Sequence, residues 1–375
     1  MNGAAPWCSR IAISQPRKLG ARMGGLVERL GGNVPVSETR TSWPLVKERL
    51  LHWLGRWGYP GLQQKWRAAS PRPTANGRLT IKLEDINNSH HGAYFIGDRK
   101  RLATCTSVKL LDPNRLVTCS LVGQRMYLIS FDTGSGDYRI ESCIPTRYRD
   151  QDICTDLLDY DGKNRLVTSN CERGSISLYR LKFNSLEHEK DIDIPGDKTP
   201  FCHGVKFLPP QGTVICATTT SEMGQAYFIS PTNGDVIYKF GDGNWKVKDV
   251  CSVDNDRLIV LYASRTPTKD ASAPYGSKIS LVAYDLSAAW HEVLHEKTFA
   301  GHTDCCEYFD GRVLVSNQTM NSVTSFRVEA NRLTYDCDIG GYDFPHGVDV
   351  LPEVGLLAVT NYGNNSITVT TWRPL

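Results

Sequence analysis

From Arg78 onward the chain alternates short apolar runs with turn clusters. RLVTCS, RMYLISF, SISLYRL, AYFIS and SITVTTW are rich in Val, Ile, Leu, Tyr and Thr, and Gly, Asn, Asp and Pro gather between them. Runs of this length and composition predict strands rather than helices. The runs also recur in register. HGVKFLPPQGTVICA, HTDCCEYFDGRVLVS and HGVDVLPEVGLLAVT each place a glycine nine positions after a histidine, pairing His203 with Gly212, His302 with Gly311 and His346 with Gly355. NRLVT at 114–118 and at 164–168 shares this phase and brings Cys105 and Cys154 to, or beside, the histidine position. KDVCSVDNDRLIVL adds a sixth copy that begins near Lys248 and Asp249. Unit starts near 105, 154, 203, 248, 302 and 346 lie 44 to 54 residues apart, the span of one four-stranded propeller blade.

The expected fold is therefore all-β, a β-propeller of six blades over residues 77–375. HHGAYFIGDRKRLATC places His91 at the same kind of unit start, so seven is the alternative count. The last unit stops after its third strand, and RLTIKLEDI (78–86) is the segment available to complete it. Such closure would leave no open sheet edge at the junction of the two chain ends.

Residues 1–76 follow another pattern. Within TSWPLVKERLLHWLGRWGYPGLQQKWR (41–67), Ser42 is a candidate N-cap and Pro44 lies in the first turn. Leu45, Leu50, Leu51 and Leu54 follow at roughly helical spacing, among Trp43, Trp53, Trp57 and Trp66. This predicts an amphipathic, tryptophan-rich helix over about 42–67, packed on the propeller or offered to a protein partner or a membrane surface. A linker of Pro, Asn and Gly follows at 69–77.

Charge and composition narrow the function classes. The chain has 375 residues, 40% of them hydrophobic, with a formal net charge of +3 and scattered basic residues, so no nucleic-acid footprint is expected. No window reaches the roughly 18 to 20 apolar residues of a transmembrane segment, and no apolar signal core opens the chain. A soluble, cytoplasmic protein is the expectation; the four basic residues before the first acid, Glu28, suit organelle targeting as the alternative. The twelve cysteines show no CxxC spacing, and several sit inside strand-like runs as small hydrophobes.

VTNYGNNSITV (359–369), VSNQTMNSVTS and VTSNCERGSIS share an Asn, three residues, Asn or Gly, then Ser. The pattern resembles the YVTN-type repeat of the lactonase-like and NHL-like β-propeller superfamily, over about residues 78–375. The resemblance implies the architecture. It spans lactonases, lyases, sugar-acid hydrolases and plain binding scaffolds, so it leaves activity open.

In a propeller the first strand of each blade lines the central channel. Repeat phase therefore brings His203, His302 and His346, with Cys105 and Cys154, to one mouth, and Asp249 to the remaining blade. Asn170, Asn317 and Asn361, ending second strands, are expected slightly outside, and His91 near the closing segment. Imidazoles and thiolates suit a divalent transition metal, Zn, Cu or Fe, while sparse carboxylates make Ca a poorer fit. The leading expectation is a lactonase- or lyase-type enzyme, metal-assisted, with His203, His302 and His346 acting on a small-molecule substrate. The alternative is a non-catalytic binding or scaffold propeller. A metal-free polar pocket and plain packing are the other readings of the ring. For the Asn-x-x-x-Asn/Gly-Ser copies, a tight turn is the leading reading.

Overall fold

The computed structural model describes residues 78–82 and 105–372, apart from 122, 172, 196–200, 211, 221–223 and 265–275. The helix expected over 42–67 and His91 lie outside the described residues. Six four-stranded antiparallel sheets follow one another in sequence. Blades 1 to 5 run from inner to outer strand within residues 105–145, 155–193, 202–241, 245–300 and 303–340. A two-stranded hairpin, Arg147–Tyr148 with Gln151–Asp152, sits between blades 1 and 2. Blade 6 takes Pro345–Leu351, Leu356–Asn361 and Ser366–Thr371 from the chain's end, and Arg78–Lys82 as its outer strand. There, Leu79 opposes Val369 and Ile81 opposes Ile367. The count is six, and no α-helix occurs among the described residues.

Burial explains the two kinds of run seen in the sequence. Inner strands are covered on both faces, so CHGVKFL is buried throughout. Outer strands alternate, as in WHEVLHEKTFA, because one face meets water. The apolar faces build a cluster at each junction of neighbouring blades. At the closing junction, Leu79, Ile81, Ile367 and Val369 of blade 6 pack with Val108, Leu116, Tyr127 and Ile129 of blade 1.

Two local devices place the channel-lining side chains. Each inner strand carries a register irregularity near its start, between Cys105 and Ser107, Thr155 and Leu158, Cys202 and Val205, Val247 and Asp249, Thr303 and Cys306, and Pro345 and Val348. A bulge of this kind re-aims a side chain that strict alternation would send elsewhere. The hairpin after the inner strand varies in length. Phe309 pairs with Arg312 around Asp310 and Gly311, both at positive φ. In blade 6, by contrast, Leu351 pairs with Leu356 across the turn Pro352–Val354 and Gly355.

Candidate functional site

The bulged position of each inner strand faces the axis. Counted from the register breaks, it is held by Thr106, Asp156, His203, Lys248, Asp304 and His346, one per blade. Side-chain contacts across the ring tie five of the six together. His203 Nε2 lies 3.1 Å from Asp304 Oδ1 and 3.3 Å from Asp156 Oδ2. His346 Nε2 lies 3.3 Å from Asp156 Oδ1 and 3.5 Å from Asp304 Oδ2. Lys248 Nζ is 2.6 Å from Asp304 Oδ1 and donates to His203 Nε2 at 3.1 Å. All six residues are buried, His203 and His346 at 2% and 3% exposure.

The two His-Gly pairs share one construction. His203 Nδ1 is 2.9 Å from the carbonyl oxygen of Lys248, and His346 Nδ1 is 2.9 Å from that of Thr106. A carbonyl can only accept, so each Nδ1 carries a proton and each ring turns its Nε2 to the axis. Glycine follows because the neighbouring blade passes close by. A Cβ on Gly204 would meet Lys248 O at 2.6 Å, and one on Gly347 would meet Thr106 O at 2.7 Å. The Gly204 and Gly347 amides donate to Thr218 Oγ1 and Thr360 Oγ1, whose hydroxyls donate to the same two carbonyls.

Three residues along each inner strand lies a second ring: Lys109, Asp159, Lys206, Cys251, Glu307 and Asp349. Lys109 Nζ meets Asp159 at 3.0 Å, Asp349 at 2.8 Å and Glu307. Lys206 Nζ meets Glu307 at 2.5 Å and Asp159 at 3.8 Å. The carboxylates also reach across blade junctions, where Phe207 N–H donates to Asp159 and Leu110 N–H to Asp349. Burial would raise the Glu307 carboxyl, but Lys109 and Lys206 outweigh it and hold the group down at about 2. Burial dominates at Asp349 and lifts it to about 6, against the pull of Lys109. In the first ring, burial and then Lys248 push His203 below its ordinary value, while Lys248 and His346 overcome burial to keep Asp304 well below its own.

Of the residues singled out from sequence, His203 and His346 meet at the axis. His302 lies at its edge, two positions before the axial Asp304, with Nε2 3.8 Å from Asp304 Oδ1. The physical reason is the hairpin. Asp310-Gly311 forms a two-residue turn where blade 6 uses four residues, so a ruler counted from the turn glycine slips by two. Cys105 precedes the axial Thr106, packs in the junction between blades 6 and 1, and approaches Thr118 Oγ1 at 3.2 Å. Burial pushes its thiol up to about 12, which disfavours the thiolate that metal ligation needs. Cys154 packs with Leu121, Cys171 and Phe201. Asp249 follows the axial Lys248 and turns into the blade junction, where Oδ2 accepts from Cys306 N–H at 3.0 Å.

The three asparagines belong to their own hairpins. Asn170 Nδ2 donates to Ser175 Oγ and Ser177 Oγ, and Asn361 Nδ2 to Ser366 Oγ and Thr368 Oγ1. Asn317 Nδ2 donates to Thr324 Oγ1 and to the Ala300 carbonyl. The residue before each serine, Gly174, Asn321 or Asn365, has positive φ, which explains the choice of Gly or Asn there. Asp156, Lys248 and Asp304 went unread from the sequence. Their signal was a charged residue just before the buried apolar pair of an inner strand, immediately before Leu157-Leu158 and Cys305-Cys306 and two positions before Val250-Cys251.

Asp156, His203 and His346 offer ligand atoms that all lie within 4.8 Å of one another, and Asp304 adjoins them. This is a donor set of two imidazoles and two carboxylates.

No family model matches the chain, and no curated protein matches it. Solved structures match in fold. The WD40 repeats of RRP9 superpose with a TM-score of 0.51 at 11% identity, covering 80% of this chain and 99% of that one. A protein from Lactobacillus plantarum gives 0.52 at 12% identity, over 76% of this chain and 89% of that one. Hydrazine synthase of Kuenenia stuttgartiensis gives 0.50 at 13% identity, over 76% and 99%. Matches of such low identity to proteins so different establish the β-propeller and nothing finer. Among the described residues no helix is long and apolar enough to cross a membrane.

Proposed function

We propose that the chain is a non-catalytic β-propeller that binds a protein partner through the outer strands of blades 3 to 5. The observation that carries this reading is a set of large apolar side chains left in water there. Ile237 of blade 3, Trp290 and Val293 of blade 4 and Tyr335 of blade 5 are each 43 to 47% exposed. These outer strands adjoin: His291 stacks on Phe240 with ring centroids 4.5 Å apart, and Leu333 N–H donates to His295 Nδ1 at 3.4 Å. Trp and Tyr in such a setting are the residue types from which interface hot spots are built.

The axial ring supports the same choice from the other side. A lactonase or lyase would need a substrate to reach the imidazoles of His203 and His346, yet both residues are almost wholly buried and bound to the next blade. The Asn-bearing hairpins support a kinship with YVTN-type repeats, at the level of repeat construction.

The test is proximity cross-linking of the full chain in cells that make it, with partner binding then measured on purified protein. A partner held by the wild-type chain and by His302→Gln, and lost at least tenfold in affinity with Trp290→Asp plus Tyr335→Asp, supports the reading. Binding indifferent to the double change, or lactone hydrolysis that disappears in His346→Gln while the fold persists, overturns it.

A further inference from the structure

We infer that the axis of the propeller holds a zinc-type divalent cation, bound by Asp156, His203, Asp304 and His346. Four blades contribute one ligand each, so the ion acts as a clasp on the closed ring. This site is independent of the outer strands and of the partner they would bind.

Spacing is the first ground. The four His-to-Asp separations are 3.1, 3.3, 3.3 and 3.5 Å. Charge-assisted hydrogen bonds between imidazolium and carboxylate close to about 2.7–2.9 Å. A tetrahedron with metal–ligand bonds of roughly 2.0–2.1 Å has edges of about 3.3 Å. The separations, which run to four different carboxylate oxygens, fall near that range, and Asp156, His203 and His346 each offer a ligand atom within 4.8 Å of the others.

Orientation is the second ground. Each imidazole donates Nδ1–H to a backbone carbonyl, which directs its Nε2 inward. The same outer hydrogen bond fixes the tautomer of metal-ligating histidines generally. His203 Nε2 lies 3.3 Å from Asp156 Oδ2 and His346 Nε2 3.3 Å from Asp156 Oδ1, so both rings turn a metal-binding atom toward one carboxylate, with Lys248 Nζ beside His203. Asp304 Oδ2, in a residue with no exposed surface, accepts no hydrogen bond among the described residues, and His346 Nε2 lies 3.5 Å from it. Lys248 supplies one positive charge, at Asp304 Oδ1, against two carboxylates. Two carboxylates thus face one ammonium, and a divalent ion bound through the two Nε2 atoms would add the positive charge that two carboxylates favour.

Donor chemistry selects the ion. Two nitrogens and two oxygens suit Zn²⁺, whereas Ca²⁺ asks for six to eight oxygens. Because the ligands come from blades 2, 3, 5 and 6, the ion stabilises the native ring without any activity being required of it.

The experiment uses the full chain, stripped with chelator and titrated with Zn²⁺. One equivalent is expected to bind, and the unfolding temperature to rise by about 5 °C at a hundredfold excess over Kd. Asp156→Asn and His346→Gln are each expected to weaken Zn²⁺ binding at least a hundredfold, while His302→Gln and Cys105→Ser leave it within threefold. Lys248→Met, which removes a competing cation, is expected to tighten it. X-ray absorption at the zinc edge of the wild-type protein does not depend on any variant folding. A first shell of nitrogen and oxygen with two imidazoles is expected, and sulfur in that shell overturns the assignment. A folded wild-type chain that binds no stoichiometric Zn²⁺ overturns it too, including the case where only Lys248→Met binds, which would make the Lys248 ammonium the resident cation.

Discussion

Each His-Gly pair divides its work between two neighbouring atoms of the chain. The histidine reaches the next blade through Nδ1 and turns Nε2 to the axis; the glycine lets that next blade approach. Gly347→Ala sets a Cβ 2.7 Å from both Ser107 Cα and Thr106 O, which are backbone atoms that cannot swing aside. A loss of about 1–3 kcal/mol in urea unfolding is expected. Gly243→Ala, which has open space at its Cβ, is the control and should change stability by less than about 0.5 kcal/mol. Equal effects at the two positions would show that the close approach does not matter.

At the scale of elements, the outer strand Arg78–Lys82 closes blade 6 and inserts Leu79 and Ile81 into the junction with blade 1. Burying two such side chains is worth roughly 3–6 kcal/mol, comparable with the net stability of a domain. Ile81→Asp should therefore lower stability by about 3 kcal/mol or more. It should also uncover the edge of Ser366–Thr371, giving dimers or larger species in size-exclusion chromatography. A monomer of unchanged stability would mean that this strand is dispensable. Elements also show where sequence reading stops. Blade spacing, apolar runs and the Asn–Ser hairpins are local, so six units could be counted along the chain. The bulge and the hairpin length are local too, yet neither has a residue signature strong enough to read. Asp304 was passed over for His302 for that reason.

In the whole molecule, buried charge is the distinctive term. Two stacked rings carry three lysines and five carboxylates with little access to water. Asp249, next to the first ring, adds a carboxyl that burial raises from 3.8 to about 6, chiefly by desolvation and against the pull of Lys206. Between those values the native state keeps a proton that the unfolded state has released, so this group's contribution to stability falls as pH rises from about 4 to 6. Asp249→Asn retains the acceptor for Cys306 N–H and removes the titration. The difference in unfolding free energy between pH 4 and pH 7 should shift in favour of pH 7 by up to about 3 kcal/mol. The same pH difference in wild type and variant would refute the perturbed carboxyl.

The sequence by itself determined the all-β class, a propeller of six or seven blades and the presence of histidines at the channel, because periodicity and strand length are properties of consecutive residues. Only the tertiary structure decided which residues stand opposite one another at the axis. Asp156, His203, Asp304 and His346 are separated by 42 to 190 positions in the chain. Their meeting depends on six bulges and on ring closure, and distance across a closed ring leaves no trace in local pattern.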